Sequence, residues 1–156
     1  MFAKLTASFF LLLFAAGAGP VAAQDVEDRR EVLAAVQSLF DAMAAHDGAA
    51  LMAAVLPEGR ITSHRVRDGQ VVVRTTGWTE WAQQVAGATE RLEERMYDPH
   101  VRIRGSLATV WTEYTFHLNG AFSHCGIDLF DLAKVDGRWR ILNISYTAET
   151  EGCRRR

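Results

Sequence analysis

The sequence predicts an α+β domain. Three observations carry that prediction: apolar residues recur at helical spacing through the first half of the chain, they run in strand-length segments bounded by turn signals through the second half, and no low-complexity linker separates the two. A length of 156 residues fits one domain, and 49% hydrophobic with 23% charged residues excludes a disordered or fibrous chain. Seventeen Lys and Arg against nineteen Asp and Glu leave a net charge of -2, with no cationic surplus for a phosphate backbone, so nucleic acid is not an expected partner.

Residues 1–23 read as a secretory signal peptide. Lys4 is an early lone cation, the run from Leu5 to Ala18 is too short to span a bilayer unbroken, and Val21 and Ala23 occupy the -3 and -1 positions of a cleavage site. The domain then runs over residues 24–156, periplasmic or secreted, with no membrane insertion once the signal is removed. In an oxidising compartment the even pair Cys125 and Cys153 reads first as a disulfide, against the alternative of two free thiols.

Asp25, Glu27 and Asp28 make an acidic opening turn for a long helix whose apolar stripe is Val32, Leu33, Val36, Leu39, Phe40 and Met43. Asp47 can cap a short second helix carrying Leu51, Ala54 and Val55 and stopped by Pro57. Ile61–Arg65 and Gln70–Thr75 flank Asp68-Gly69, a tight hairpin. Trp78, Trp81, Ala82 and Val85 fall on one face of a third helix that starts near Thr76 or Thr79 and ends at Gly87. Residues 88–97 are charge-rich, with a helical extension and an edge strand both open and a strand from about Arg91 preferred. From His100 onward turns at Gly105-Ser106, Asn119-Gly120 and Asp136-Gly137 divide strands 101–104, 107–118, 122–134 and 138–148 into a meander.

This order, together with Gly105-Ser-Leu-Ala-Thr-Val-Trp111, Tyr114-Thr-Phe116, Phe122-Ser-His-Cys-Gly126, Asp128-Leu-Phe130, Gly137-Arg-Trp-Arg-Ile141 and Tyr146-Thr147, resembles the NTF2-like superfamily over about Asp25 to Cys153, and most closely its exported SnoaL-like and lumazine-binding-type groups. The endings His124-Cys125-Gly126 and Glu151-Gly-Cys153 are similar to one exported subgroup. The resemblance implies a cone: three helices packed on a strongly curved antiparallel sheet, with a small apolar or aromatic ligand, a partner or nothing in its open end. It also implies a homodimer through the outer sheet face. Ile127, Leu129, Leu142 and Ile144 on that face, opposite Phe130, Leu132 and Ile141, make both sides apolar.

Pocket residues in such a cone come from the concave face. A two-residue turn pairing Val135 with Arg138 places Asp128, Phe130 and Leu132 beside Trp139, Ile141, Asn143 and Ser145. In the preceding hairpin a two-residue loop brings Trp111, Glu113 and Thr115 to that face, whereas a three-residue loop brings Thr112, Tyr114 and Phe116. The second is preferred because it gathers Tyr114, Phe116, His124, Asp128, Phe130, Trp139 and Asn143 into one ligand pocket.

His124, Asp128 and Tyr114 are the catalytic candidates: an imidazole near neutral pKa, a carboxylate that burial could raise, and a phenol able to donate to an enolate oxygen. His124 and Asp128, four apart on a strand, are about 13 Å apart at the backbone, so the competing reading is that both are ordinary strand residues. His46, His64 and His100 read as inert. Trp78, Trp81, Trp111 and Trp139 read as core ahead of pocket. No HxH, HExxH, Gly-rich phosphate loop or GxSxG elbow occurs, so neither metal nor cofactor is expected. The family's steroid isomerases use an early Asp and a Tyr; here only Asp41 is an early carboxylate within residues 38–46, and no Tyr precedes Tyr97. The favoured function is therefore an exported binding domain without catalysis, and the alternative is a cofactor-independent dehydratase, isomerase or cyclase.

Overall fold

A computed structural model describes residues 20–153; residues 1–19, where most of the expected signal peptide falls, lie outside the described residues. Helix α1 (Pro20–Ala44) starts five residues before the predicted acidic turn, at a proline suited to a first helical position, and the expected cleavage after Ala23 falls in its opening turn. Asp28, displaced from the helix start, instead meets Lys134 Nζ at 2.7 Å. Helix α2 (Gly48–Ala54) is capped by Asp47, whose Oδ1 accepts the Ala49 and Ala50 amides. It ends at Ala54, before Pro57, which lies in strand β1 (Val55–Arg67). There β1 leaves its ladder with the neighbouring strand between Val55 and Arg60, so the missing N–H of Pro57 breaks no strand pairing.

Strand β2 (Gln70–Gly77) returns through Asp68-Gly69, both at positive φ, and helix α3 (Trp78–Ala86) follows from Gly77 at its N-cap. The charge-rich segment is a strand: β3 (Leu92–Arg104) is continuous, with a register shift at Asp98-Pro99. Strands β4 (Leu107–Leu118), β5 (Ala121–Val135) and β6 (Arg138–Thr147) complete the meander. Asn119-Gly120 and Asp136-Gly137 take positive φ at both residues, as type I′ turns require, while Gly105 alone does so between β3 and β4.

The sheet is six-stranded in the order β2-β1-β6-β5-β4-β3, and β1 lies parallel to β6, an exception to the expected antiparallel pairing. Its concave face meets the helices. Val32, Val36, Leu39 and Phe40 of α1, Leu51 of α2, and Trp78 and Val85 of α3 bury themselves against Val110, Phe130, Leu132 and Ile141. Burial contributes about 1.5–3 kcal/mol for each large side chain, which is the main force holding helices to sheet. Phe40 meets Phe130 edge-on at 6.0 Å between ring centroids.

Two bulges set which side chains face inward. After Asn119-Gly120, Leu118 pairs with Ala121 and His117 with Phe122, but Phe116 pairs with His124, so Ser123 is the extra residue. The loop is thus the two-residue form, and the bulge supplies the one-residue shift that brings Thr112, Tyr114 and Phe116 to the concave face. In the last hairpin Leu132 pairs with Ile141 but Asp131 with Asn143, leaving Leu142 extra. That shift corrects the expected face: Ile144 and Tyr146 turn inward, and Asn143 and Ser145 turn outward.

Candidate functional site

Between α1, α3 and the concave face lies a cavity of ≈190 Å³. Leu39, Phe40 and Met43 wall it from α1, Trp81 and Val85 from α3, and Phe130 and Ile144 from the sheet. Tyr114, Phe116, His124, Asp128 and Phe130, all expected in the pocket, line it together. Two expected pocket residues do not. Asn143 faces outward beyond the Leu142 bulge, where its amide N–H and Nδ2 donate to Asp131 and its Oδ1 accepts from the Arg60 amide. Trp139 is buried elsewhere, beneath Lys134, whose Nζ stands 5.6 Å from its ring centre.

Two polar residues of the cavity were not singled out from the sequence: Glu94 of β3 and Arg65 of β1. Leu92, Glu94 and Met96 alternate on the inward face of β3, so a carboxylate stands in an apolar row. Glu94 and Asp128 are neighbours in the cavity. Asp128 is 2% exposed, and one of its carboxyl oxygens has no hydrogen-bonding partner among the described residues other than an acid that must itself carry a proton to donate. Burial raises Asp128 well above the ordinary carboxylate range, helped by the neighbouring Glu94 charge. Burial likewise pushes Glu94 up to about 7, partly offset by its bond to Asp128. Two carboxyl groups close together in apolar surroundings hold a proton between them, because ionising both would place like charges in a medium that screens poorly.

Tyr114 is buried by its ring and commits its hydroxyl proton to Thr147 O at 2.7 Å. Burial and then the Asp128 and Glu94 charges keep it protonated, so it positions the wall and does not donate freely to a guest. Burial and the Arg65 charge pull His124 down to about 4, leaving a neutral ring at neutral pH. That ring lies 4.9 Å from Phe116 and 5.8 Å edge-on from Tyr114, and Nδ1 shares a proton with Ser123 Oγ at 3.0 Å. Of the three catalytic candidates, Asp128 alone pairs with a second acid, Glu94, which burial pushes up to about 7.

Asp41, the early carboxylate, is exposed and bonded to Gln37 outside the cavity. His46 and His64 make structural bonds to Glu90 O and Ser145 Oγ. Trp78 is core, Trp81 lines the cavity and Trp111 is 51% exposed on the convex face. Among the described residues no group of three or more His, Cys, Asp or Glu is arranged to hold a metal ion, and no helix is long and apolar enough to cross a membrane. Cys125 and Cys153 are bonded, with Cα atoms 5.8 Å apart.

The acid pair has a consequence for stability. A carboxyl held at about 7 when folded and near 4.5 when unfolded binds more protons in the folded state, so its favourable contribution is present below pH 4.5 and is lost as pH rises through about 7. His124 runs the other way, losing stability as pH falls from 6.5 toward 4. The stability of wild type minus that of a Glu94→Gln/Asp128→Asn variant isolates the pair, and this difference is expected to fall between pH 5 and 8. A difference that rises over that range contradicts the shared proton.

Residues 27–147 match the family described as putative lumazine-binding. Similar solved structures include an NTF2-like protein with a cystatin-like fold from Novosphingobium aromaticivorans, 15% identical over 85% of this chain and 88% of that one, with a TM-score of 0.67. A protein of unknown function from Mycobacterium tuberculosis is 20% identical over 84% of this chain and 76% of that one, with a TM-score of 0.66. A putative dehydratase of the NTF2-like family from Streptomyces avermitilis is 16% identical over 80% of this chain and 97% of that one, with a TM-score of 0.60. At these identities the likeness is one of fold. Comparison with curated proteins found no match.

Proposed function

The chain belongs to the putative lumazine-binding family of NTF2-like proteins, and from that premise we propose that it is an exported domain holding a small, flat, mostly apolar molecule in the cavity, with Glu94 and Asp128 as its polar anchor. The observation that carries this reading is the acid pair set in an aromatic wall. A pair that holds one proton offers one donor and one acceptor, the complement of the lactam or amidine edge of a nitrogen heterocycle, and lumazine is such a ring. Phe116, Trp81 and Phe130 supply apolar faces for the rest of it. The disulfide supports an oxidising compartment, as does the signal-like leader. The convex face, where Trp111, Leu129, Leu107 and Val135 are exposed, is the surface on which a second copy would seat.

One experiment reads ligand and stoichiometry together. Native mass spectrometry of the protein purified from the periplasm is expected to show a dimer that releases a ring-bearing small molecule on denaturation, and that molecule is expected to be lost from the Glu94→Gln/Asp128→Asn variant. A monomer at every concentration counts against the dimer. An empty wild-type cavity that also fails to take up added lumazine counts against the binding reading.

The pair also supports the enzyme alternative, since a carboxyl near neutral pKa next to a second carboxyl is suited to general acid–base chemistry without a cofactor. The same sample in deuterated water separates the two. Exchange of a carbon-bound hydrogen of the bound molecule by wild type, abolished in Asp128→Asn, marks catalysis; no exchange leaves a binder.

A further inference from the structure

The β1–β2 hairpin sets three guanidinium groups beside the opening of the cavity. Ser63, Arg65 and Arg67 alternate along one face of β1, and Arg74 stands opposite Ser63 on β2. All three arginines line a second cavity of ≈520 Å³. It shares Ile61, Arg65, Trp81 and Tyr146 with the first, so an outer basic basin and an inner aromatic chamber meet at Arg65.

None of the three arginines has an acidic partner or a side-chain hydrogen bond among the described residues. Glu80 is the one acid lining the basin, and it accepts a hydrogen bond from Gln84 instead. Arg67 and Arg74 are exposed, where an unpaired charge costs little. Arg65 is half-buried against the chamber, where a guanidinium is ordinarily matched by an anion. Arginine forks bind carboxylate and phosphate oxygens in pairs, and several on one face repel each other until an anion lies between them. We infer that the basin takes the carboxylate or phosphate of a ligand whose aromatic body fills the inner chamber, so that the natural ligand is an amphipathic aryl anion and not a neutral ring. This rests on the cavity being a ligand site, and it adds the charge of the ligand and the residues that read it.

The test uses three probes of one shape: 2-naphthoate, 2-naphthyl phosphate and the uncharged 2-naphthamide, titrated into the whole protein by calorimetry. At least one anion is expected to bind about tenfold more tightly than the amide, the size of a good charged hydrogen bond, and the gap is expected to shrink as salt rises. Which anion gains more decides between carboxylate and phosphate. Arg65→Gln/Arg74→Gln, shown to be folded by cooperative thermal unfolding, is expected to erase the gap between anion and amide, whatever its effect on amide affinity itself. If the amide binds wild type as tightly as both anions, or the gap survives in the double variant, the anion site is wrong although the cavity reading stands. If none of the three binds, the cavity reading has failed and this inference fails with it.

Discussion

Replacing Gly59 with alanine is expected to lower the stability of the domain by roughly 3–5 kcal/mol, at the severe end for a single methyl group. Gly59 lies in the stretch of β1 that leaves the ladder with β6, between Val55 opposite Ile141 and the run that resumes at Arg60 opposite Asn143. A Cβ there would stand 1.6 Å from the Leu142 carbonyl oxygen and 2.6 Å from its carbon. Both are backbone atoms, so no rotamer change relieves the overlap. The same carbonyl accepts the Trp78 indole N–H at 2.8 Å, and Trp78 anchors α3 in the core. Relief therefore means moving β1 away from β6 and loosening α3, which also opens the wall holding Trp81. Gly77→Ala is the control, since nothing lies within 4 Å of its added methyl. Chemical denaturation reads both; a Gly59→Ala protein within about 1 kcal/mol of wild type would mean that the two strands do not approach as closely as described.

That same contact explains what could be read from the sequence and what could not. Asp68-Gly69, Asn119-Gly120 and Asp136-Gly137 announce their hairpins because a type I′ turn needs two residues tolerant of positive φ, a local demand. Helices α2 and α3 announce themselves by a capping aspartate and by tryptophans on one face. The bulge at Leu142 answers to partners far away in the chain, Gly59 and the indole of Trp78, and no signal within β6 reports it. Its effect is large all the same: one extra residue exchanges Asn143 for Ile144 on the concave face. The parallel pairing of β1 with β6 is hidden for the same reason, as it depends on where the sheet closes against α3. At Ser123 the turn residues point to a two-residue loop and the grouping of aromatics to a shift of one, and the bulge reconciles them.

The site was legible where a face argument reached it. Tyr114, Phe116, His124 and Asp128 sit on adjacent strands whose relative faces could be weighed, and they meet in the cavity. Glu94 was obscured by its neighbours, because Glu90, Arg91, Glu93 and Arg95 make the segment read as a solvated run. The signal was its place between Leu92 and Met96 once the segment is taken as a strand. Arg65 follows Ile61 and Ser63 in the same way. In both, a charge on the apolar side of an alternating strand marks the cavity residue, and in both it is visible only after the strand and its inward side are known.

Serine at both Cys125 and Cys153 is expected to cost roughly 3–4 kcal/mol, the chain-entropy value for a loop of this length, and to lower the melting temperature by about 10–15 °C. The bridge closes a sequence separation of 28 residues. It forms because the chain reverses after β6: Gly152 takes a φ of 73°, open to glycine at little cost, and brings Cys153 back toward β5. The Leu142 bulge sets the approach, so Cys125 faces Glu149 and not Ala148 as an unbroken ladder would have it. Those two exchange both backbone hydrogen bonds, at 2.9 and 2.8 Å. Upstream, Thr147 O holds the Tyr114 hydroxyl at 2.7 Å and Thr147 Oγ1 accepts the Ile127 amide at 3.0 Å, and neither bond needs the disulfide. The loss should therefore appear as stability and as fraying of residues 148–153, with the inner cavity still able to bind the naphthyl probes. Thermal unfolding of the double variant against wild type, alongside hydrogen exchange at the Cys125 and Glu149 amides, separates the effects. A shift of only a degree or two with both amides still protected would assign the tail's anchoring to the Cys125–Glu149 backbone pair and leave the bridge without a stabilising role.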